Sequence, residues 1–142
     1  MERLRRFAAL RSEDRRLLLE ALAIVTTMRV ALWVLPFGRL RSAIRRVPPR
    51  PRSSTRRGAD RIAWSVVSAA RFVPRASCLT QALAAEILLR RAGLPADLRI
   101  GVATDGAGAL EAHAWIESEG RVLIGDLDLH RFTALPAPAH AP

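Results

Sequence analysis

The chain has 142 residues, half of them hydrophobic and a quarter charged, which fits one compact domain and excludes wholesale disorder. A single cysteine excludes an internal disulfide and a cysteine-rich zinc site, and three scattered histidines (113, 130 and 140) do not assemble a metal site by spacing. All 23 basic residues are arginine: residues 1–75 hold 18 against five acids, net +13, and residues 76–142 hold five against eight, net −3, together the formal +10. Such asymmetry suits an acidic partner for the N-terminal half; it also matches the composition of GC-rich coding, which favours Arg, Ala and Leu over Lys and Tyr.

Residues 1–16 are charged and predict a short helix, with Ser12 or Asp14 available as N-cap. From Leu17 to Phe37 the chain reads LLLEALAIVTTMRVALWVLPF, the length of a membrane span but interrupted by Glu20 and Arg29. At nine positions' separation these two charges sit on opposite sides of a helix, so no single polar stripe hides both. On an insertion scale the apolar residues contribute roughly −5 kcal/mol and the two charges cost about as much. A spanning helix is therefore not expected. The reading is a helix buried in the domain or against a partner, with contact to a membrane surface left open. No small-residue cleavage site follows it, so no secretory signal is expected and the chain reads as cytoplasmic.

Phe37-Gly38 is read as the break after this helix, with Leu40, Ile44 and Val47 marking an amphipathic turn or two. Residues 48–59, PPRPRSSTRRGA, read as a linker. Asp60 is expected to cap a third helix with the apolar stripe Ile62, Trp64, Val66, Val67 and Ala70, ended by Pro74. Ser77 is a good N-cap for a helix from Cys78 to Ala92, apolar nearly all round and closed by Gly93 and Pro95. Such a helix is a central one. Leu98, Ile100 and Val102 alternate as a strand, a turn follows at residues 105–108, and residues 112–117 and 121–127 read as strands joined at Glu119-Gly120. From Ala134 the proline-rich tail is expected to fray. The fold class is α+β, a central helix against a small antiparallel sheet. Residues 1–59 form a helical, Arg-rich N-terminal region, 60–133 the core and 134–142 a tail.

The chemistry-bearing residues converge on one reading. Cys78 opens the central helix, where unpaired amides and the helix dipole favour a thiolate and can hold an oxyanion. With a two-residue turn at 119–120, Ser118 opposes Arg121, and the same register places His113 opposite Asp126 and Trp115 opposite Ile124. Directly opposed Cβ atoms lie roughly 4.5–5.5 Å apart, which suits an imidazole–carboxylate hydrogen bond. Cys78, His113 and Asp126 thus form a candidate nucleophile, base and orienting acid.

The runs Arg75-Ala-Ser-Cys-Leu-Thr-Gln-Ala-Leu, Leu88-Leu-Arg-Arg-Ala-Gly-Leu-Pro-Ala, Ile100-Gly-Val and Ala112-His-Ala-Trp-Ile-Glu resemble the transglutaminase-like, papain-like cysteine protease of lasso-peptide biosynthesis, over about residues 60–130. The resemblance implies a leader peptidase in its stand-alone form, acting through a thioester on a precursor peptide. It needs no cofactor, metal or nucleotide. Its implied partners are a small leader-recognition protein and, downstream, the macrolactam cyclase. Carried over by residue, Cys78 is the nucleophile, His113 the base and Asp126 the orienting acid, with Asp128 two positions on as the alternative. Trp64 and Gln81 are candidate second oxyanion donors. Two other classes stay open: an acyltransferase that uses the same thioester with an amine, and an Arg-rich nucleic-acid-binding module. The latter lacks aromatic residues interleaved with its arginines, so no nucleic-acid partner is expected.

Overall fold

The structure is a computed structural model that describes residues 1–49 and 56–136. The described residues form five α-helices and a four-stranded antiparallel sheet, an α+β arrangement as the hydrophobic patterning predicts. The helices are α1 (Glu2–Ala9), α2 (Ser12–Val34), α3 (Phe37–Arg45), α4 (Arg56–Ala70) and α5 (Cys78–Arg91). The strands are β1 (Asp97–Thr104), β2 (Leu110–Ser118), β3 (Arg121–Ile124) and β4 (Thr133–Ala134), in the spatial order β3-β2-β1-β4.

Several boundaries differ from the sequence expectation, each for a local reason. The first helical stretch is split: Leu10 is extended (φ −67°, ψ 150°), and α2 begins at Ser12 with Arg11 in the cap position and no side-chain cap. Asp14 instead reaches across to α4, where Arg61 Nε donates to its Oδ1 at 2.9 Å. The break after α2 falls at Leu35-Pro36 rather than Phe37-Gly38. The residue before a proline is driven out of the α region, and Leu35 sits at φ −109°, ψ 143°. Gly38 lies inside α3. Helix α4 starts at Arg56, inside the expected linker, so Asp60 is an interior residue rather than a cap; it pairs with Arg121 of β3 at 2.9 Å. Residues 50–55 of that linker lie outside the described residues. Helix α4 also stops at Ala70, four residues before Pro74, and passes into turns that bond Phe72 N to Ala69 O and Val73 N to Ala70 O.

Helix α5 follows its sequence signals closely. Ser77 Oγ accepts from the Thr80 amide at 3.2 Å. At the far end Gly93 takes φ +72°, and the amides of Gly93 and Leu94 bond the carbonyls of Arg90 and Leu89 at 3.0 and 2.9 Å. From Ala82 to Leu89 every residue of α5 is buried, including Glu86, whose carboxylate pairs with Arg41 of α3. Helix α5 is thus the axis of the molecule. It shares one hydrophobic core with Ala21 and Val25 of α2, Leu40 and Ile44 of α3, Val66 of α4, and Ile116 and Ile124 of the sheet.

The β2–β3 turn is the two-residue one expected, with Glu119 at φ +51° and Gly120 at φ +73°, and Ser118 opposes Arg121. Beyond Glu117↔Val122 the ladder slips: Ile116 pairs with Ile124, leaving Leu123 as a bulge. Trp115 therefore does not face Ile124. Strand β3 stops at Ile124 instead of running to Leu127, because Gly125 turns the chain at φ +87°. The start of the expected frayed tail is also ordered. Thr133 and Ala134 pair with Val102 and Gly101 of β1, and the Leu135 amide bonds Ile100 O at 2.8 Å.

Candidate active site

Cys78 is the first residue of α5 and is half-buried. The segment leading into it is braced twice: Ser77 Oγ holds the Thr80 amide, and Gln81 Nε2 donates to Ala76 O at 3.2 Å. The amides of Cys78 and Leu79, in the first turn, have no intrahelical carbonyl to bond. They can stabilise negative charge next to the sulfur. Gln81 is therefore close in sequence and occupied with the backbone before the nucleophile. Trp64 lies elsewhere, in a groove between α1, α2 and α4 that it lines with Phe7, Leu22 and Phe72.

His113 sits in the middle of β2 opposite Gly101, and is half-buried. Successive strand residues point to opposite faces. Ile116 belongs to the helical core, so His113 and Trp115 leave β2 on the other face. There they form a small aromatic layer with Phe132: the His113 ring is 5.1 Å from Phe132 and 6.2 Å from Trp115, centroid to centroid. Gly101 is the floor of this layer. A Cβ at that position would lie 2.9 Å from the Trp115 ring and 3.0 Å from Phe132 Cβ. Trp115 Nε1 donates to Glu117 Oε1 at 2.8 Å.

The predicted bond between His113 and Asp126 is not made. The one-residue slip at Leu123 takes Asp126 out of register with His113. Asp126 and Asp128 are both exposed, and Asp128 takes φ +50° at the start of a short 3-10 turn over Leu129–Arg131. The ring is held instead by the backbone: His113 Nε2 lies 2.8 Å from Gly125 O. A carbonyl oxygen can only accept, so Nε2 carries the proton and in the neutral ring Nδ1 has the free lone pair. Among the described residues no hydrogen bond joins Cys78 Sγ to His113. Although α5 and β2 adjoin, the His113 ring therefore lies on the face of β2 turned away from the helix that carries Cys78, and it is held by the Gly125 carbonyl rather than by a carboxylate.

Gly125 and Phe132 are the two contributors that sequence reasoning missed. Gly125 carried a signal, as a glycine at the end of an apolar run in Leu-Ile-Gly-Asp. Phe132 carried none, because its ring reaches His113 only through the return of the chain as β4.

Charge is distributed in keeping with the composition. All five acids of residues 1–75 are engaged: Glu2 with Arg6, Glu13 and Asp14 with Arg61, Glu20 with Arg91, and Asp60 with Arg121. Among the described arginines of that half, Arg6, Arg41 and Arg61 pair with acids, Arg41 with Glu86 of α5.

A family model described as the transglutaminase-like superfamily matches residues 22–137. The chain belongs to that superfamily, which includes cysteine proteases and acyltransferases and whose domain is typically enzymatic. The match begins within α2, so it takes in more of the helical region than the motifs around Cys78 and His113 alone. No curated protein and no solved structure matches the chain.

Proposed function

We propose that this protein is a cysteine peptidase that removes the leader from a ribosomally made lasso-peptide precursor in the cytoplasm. The carrying observation is the half-buried thiol of Cys78 at the amino end of the central helix of a transglutaminase-like domain. Cys78 Sγ attacks the carbonyl of the leader's last residue, and its proton passes to His113 Nδ1, the nitrogen left free by the bond to Gly125 O. The first amides of α5 hold the oxyanion. The scissile C–N bond breaks as the imidazolium protonates the departing amine, leaving a thioester on Cys78. Water attacks the thioester, its proton goes through His113 to the sulfur, and the leader departs as a carboxylic acid. The Gly125 carbonyl does the orienting that the sequence reading gave to Asp126.

The reading requires the His113 ring, which lies on the face of β2 away from α5 in the free chain, to reach the thiol when the precursor binds. A separate recognition protein delivers it. The groove between α1, α2 and α4 is a suitable dock, about 510 Å³, apolar at Phe7, Leu22, Trp64 and Phe72 and rimmed by Arg3, Arg6 and Arg71. The test is mass spectrometry of a lasso-peptide precursor incubated with wild-type or Cys78→Ala protein and a leader-recognition protein. A free leader acid with wild type and intact precursor with the variant support hydrolysis. A leader joined to an amine would assign acyl transfer instead, and cleavage by the alanine variant would refute the role of Cys78.

A further inference from the structure

Helix α2 is divided lengthwise. One face, with Ala21, Ile24, Val25 and Met28, is buried in the core. On the other, every exposed residue beyond Glu20 is uncharged: Ala23, Thr26, Thr27, Val30, Trp33 and Val34. Trp33 is 84% exposed and Val34 68%. The surface continues past the end of the helix into exposed Leu35 and Phe37. Its two hydroxyls are turned inward, since Thr26 Oγ1 donates to Leu22 O at 2.8 Å and Thr27 Oγ1 to Ala23 O at 2.7 Å. Beyond its apolar surface the face presents the indole N–H of Trp33, a group suited to a headgroup boundary.

The charge around it has one sign. No aspartate or glutamate occurs between Glu20 and Asp60, and the exposed side of α3 carries Arg39, Arg45 and Arg46. We propose that this face of α2, with the start of α3, docks on the surface of an anionic lipid bilayer. The medium that matches it is apolar, non-directional and negatively charged at its boundary, with an interface that favours Trp and Phe.

By length and composition α2 would also suffice to cross a membrane. Its buried face argues against that orientation. Crossing would pull Val25 and Met28 out of the core and break the 3.0 Å pair of Glu20 with Arg91. Lying in the interface plane leaves both intact.

The experiment is flotation of the full chain with vesicles of phosphatidylcholine alone or mixed with phosphatidylglycerol, at low and high salt. We expect flotation with the mixed vesicles, weakened by salt, and quenching of tryptophan emission by brominated lipid. The double variant Trp33→Ser/Val34→Ser changes only exposed side chains, and circular dichroism should show it folded. It should bind about tenfold more weakly than wild type. Failure of wild type to float, equal binding to both vesicle types, or a folded double variant that binds as wild type would overturn the proposal. So would protection of Trp33 by a protein partner from a chain that does not partition onto lipid.

Discussion

A Cβ at Gly125 would lie 2.8 Å from Ala114 O and 2.9 Å from Trp115 Cβ, at a φ of +87° that side chains rarely adopt. The same residue presents its carbonyl to His113 Nε2 at 2.8 Å, so glycine there sets the position of the ring. Gly125→Ala should cost about 1–3 kcal/mol of stability, and should lower peptide cleavage by more than the loss of folded protein explains. Chemical denaturation beside kinetics on the folded fraction separates the two effects. Asp126→Asn should leave cleavage within about twofold, since the carboxylate holds no bond to the ring, whereas His113→Ala should abolish it. An inactive Asp126→Asn with normal stability would return the orienting role to the carboxylate. For the nucleophile, Cys78→Ser should be nearly as inactive as Cys78→Ala, because a hydroxyl near neutral pH is far weaker than a thiol. Iodoacetamide should label Cys78, and bound precursor should protect it.

Among the elements, α5 bears the largest structural demand, because it is wrapped by three helices and the sheet. One charge is sealed within it: the Glu86 side chain is 3% exposed and its partner Arg41 is 16% exposed. Removing one member of such a pair leaves an uncompensated buried charge, whereas replacing both need not. Arg41→Ala should therefore destabilise the fold by about 3–5 kcal/mol, and Arg41→Ala/Glu86→Leu should recover most of that loss. Urea unfolding of the three proteins checks this. A double variant no more stable than Arg41→Ala would mean that α3 docks through its apolar contacts alone. The exposed pair Arg6–Glu2 is a useful control, since disrupting it should change stability by well under about 1 kcal/mol.

For the molecule as a whole, if the proposed peptidase reading holds, the charge asymmetry and the lack of a thiol–imidazole hydrogen bond predict an enzyme that is slow alone. We expect little cleavage from the isolated chain, restoration by the recognition protein, and a restored rate that falls as salt rises, because arginine steering is screened over about 10 Å at 0.1 M salt. Stopped-time cleavage assays with and without the partner measure this. Equal rates in both would remove the need for a partner. Phe72→Glu, at the rim of the α1–α2–α4 groove and 56% exposed, should weaken the restoration without unfolding the chain.

Local chemistry in the sequence determined a good deal by itself. The capping serine, the apolar girth and the closing glycine set α5 and put Cys78 at its start. The Glu119-Gly120 pair set the β2–β3 turn, and alternation set β1. These were legible because each depends on residues within one turn or one hairpin. The boundaries that moved were also local, but turned on competing signals: Pro36 overrode Gly38, and α4 began in a stretch whose prolines and serines read as linker. Tertiary structure alone decided where His113 points. The bulge at Leu123 shifts the ladder by a single residue, and since side chains alternate with a period of two, that slip removes Asp126 from the ring and substitutes the carbonyl of Gly125. A bulge depends on how Ile116 and Ile124 settle into the helical core, and that packing is not written in the spacing of either strand.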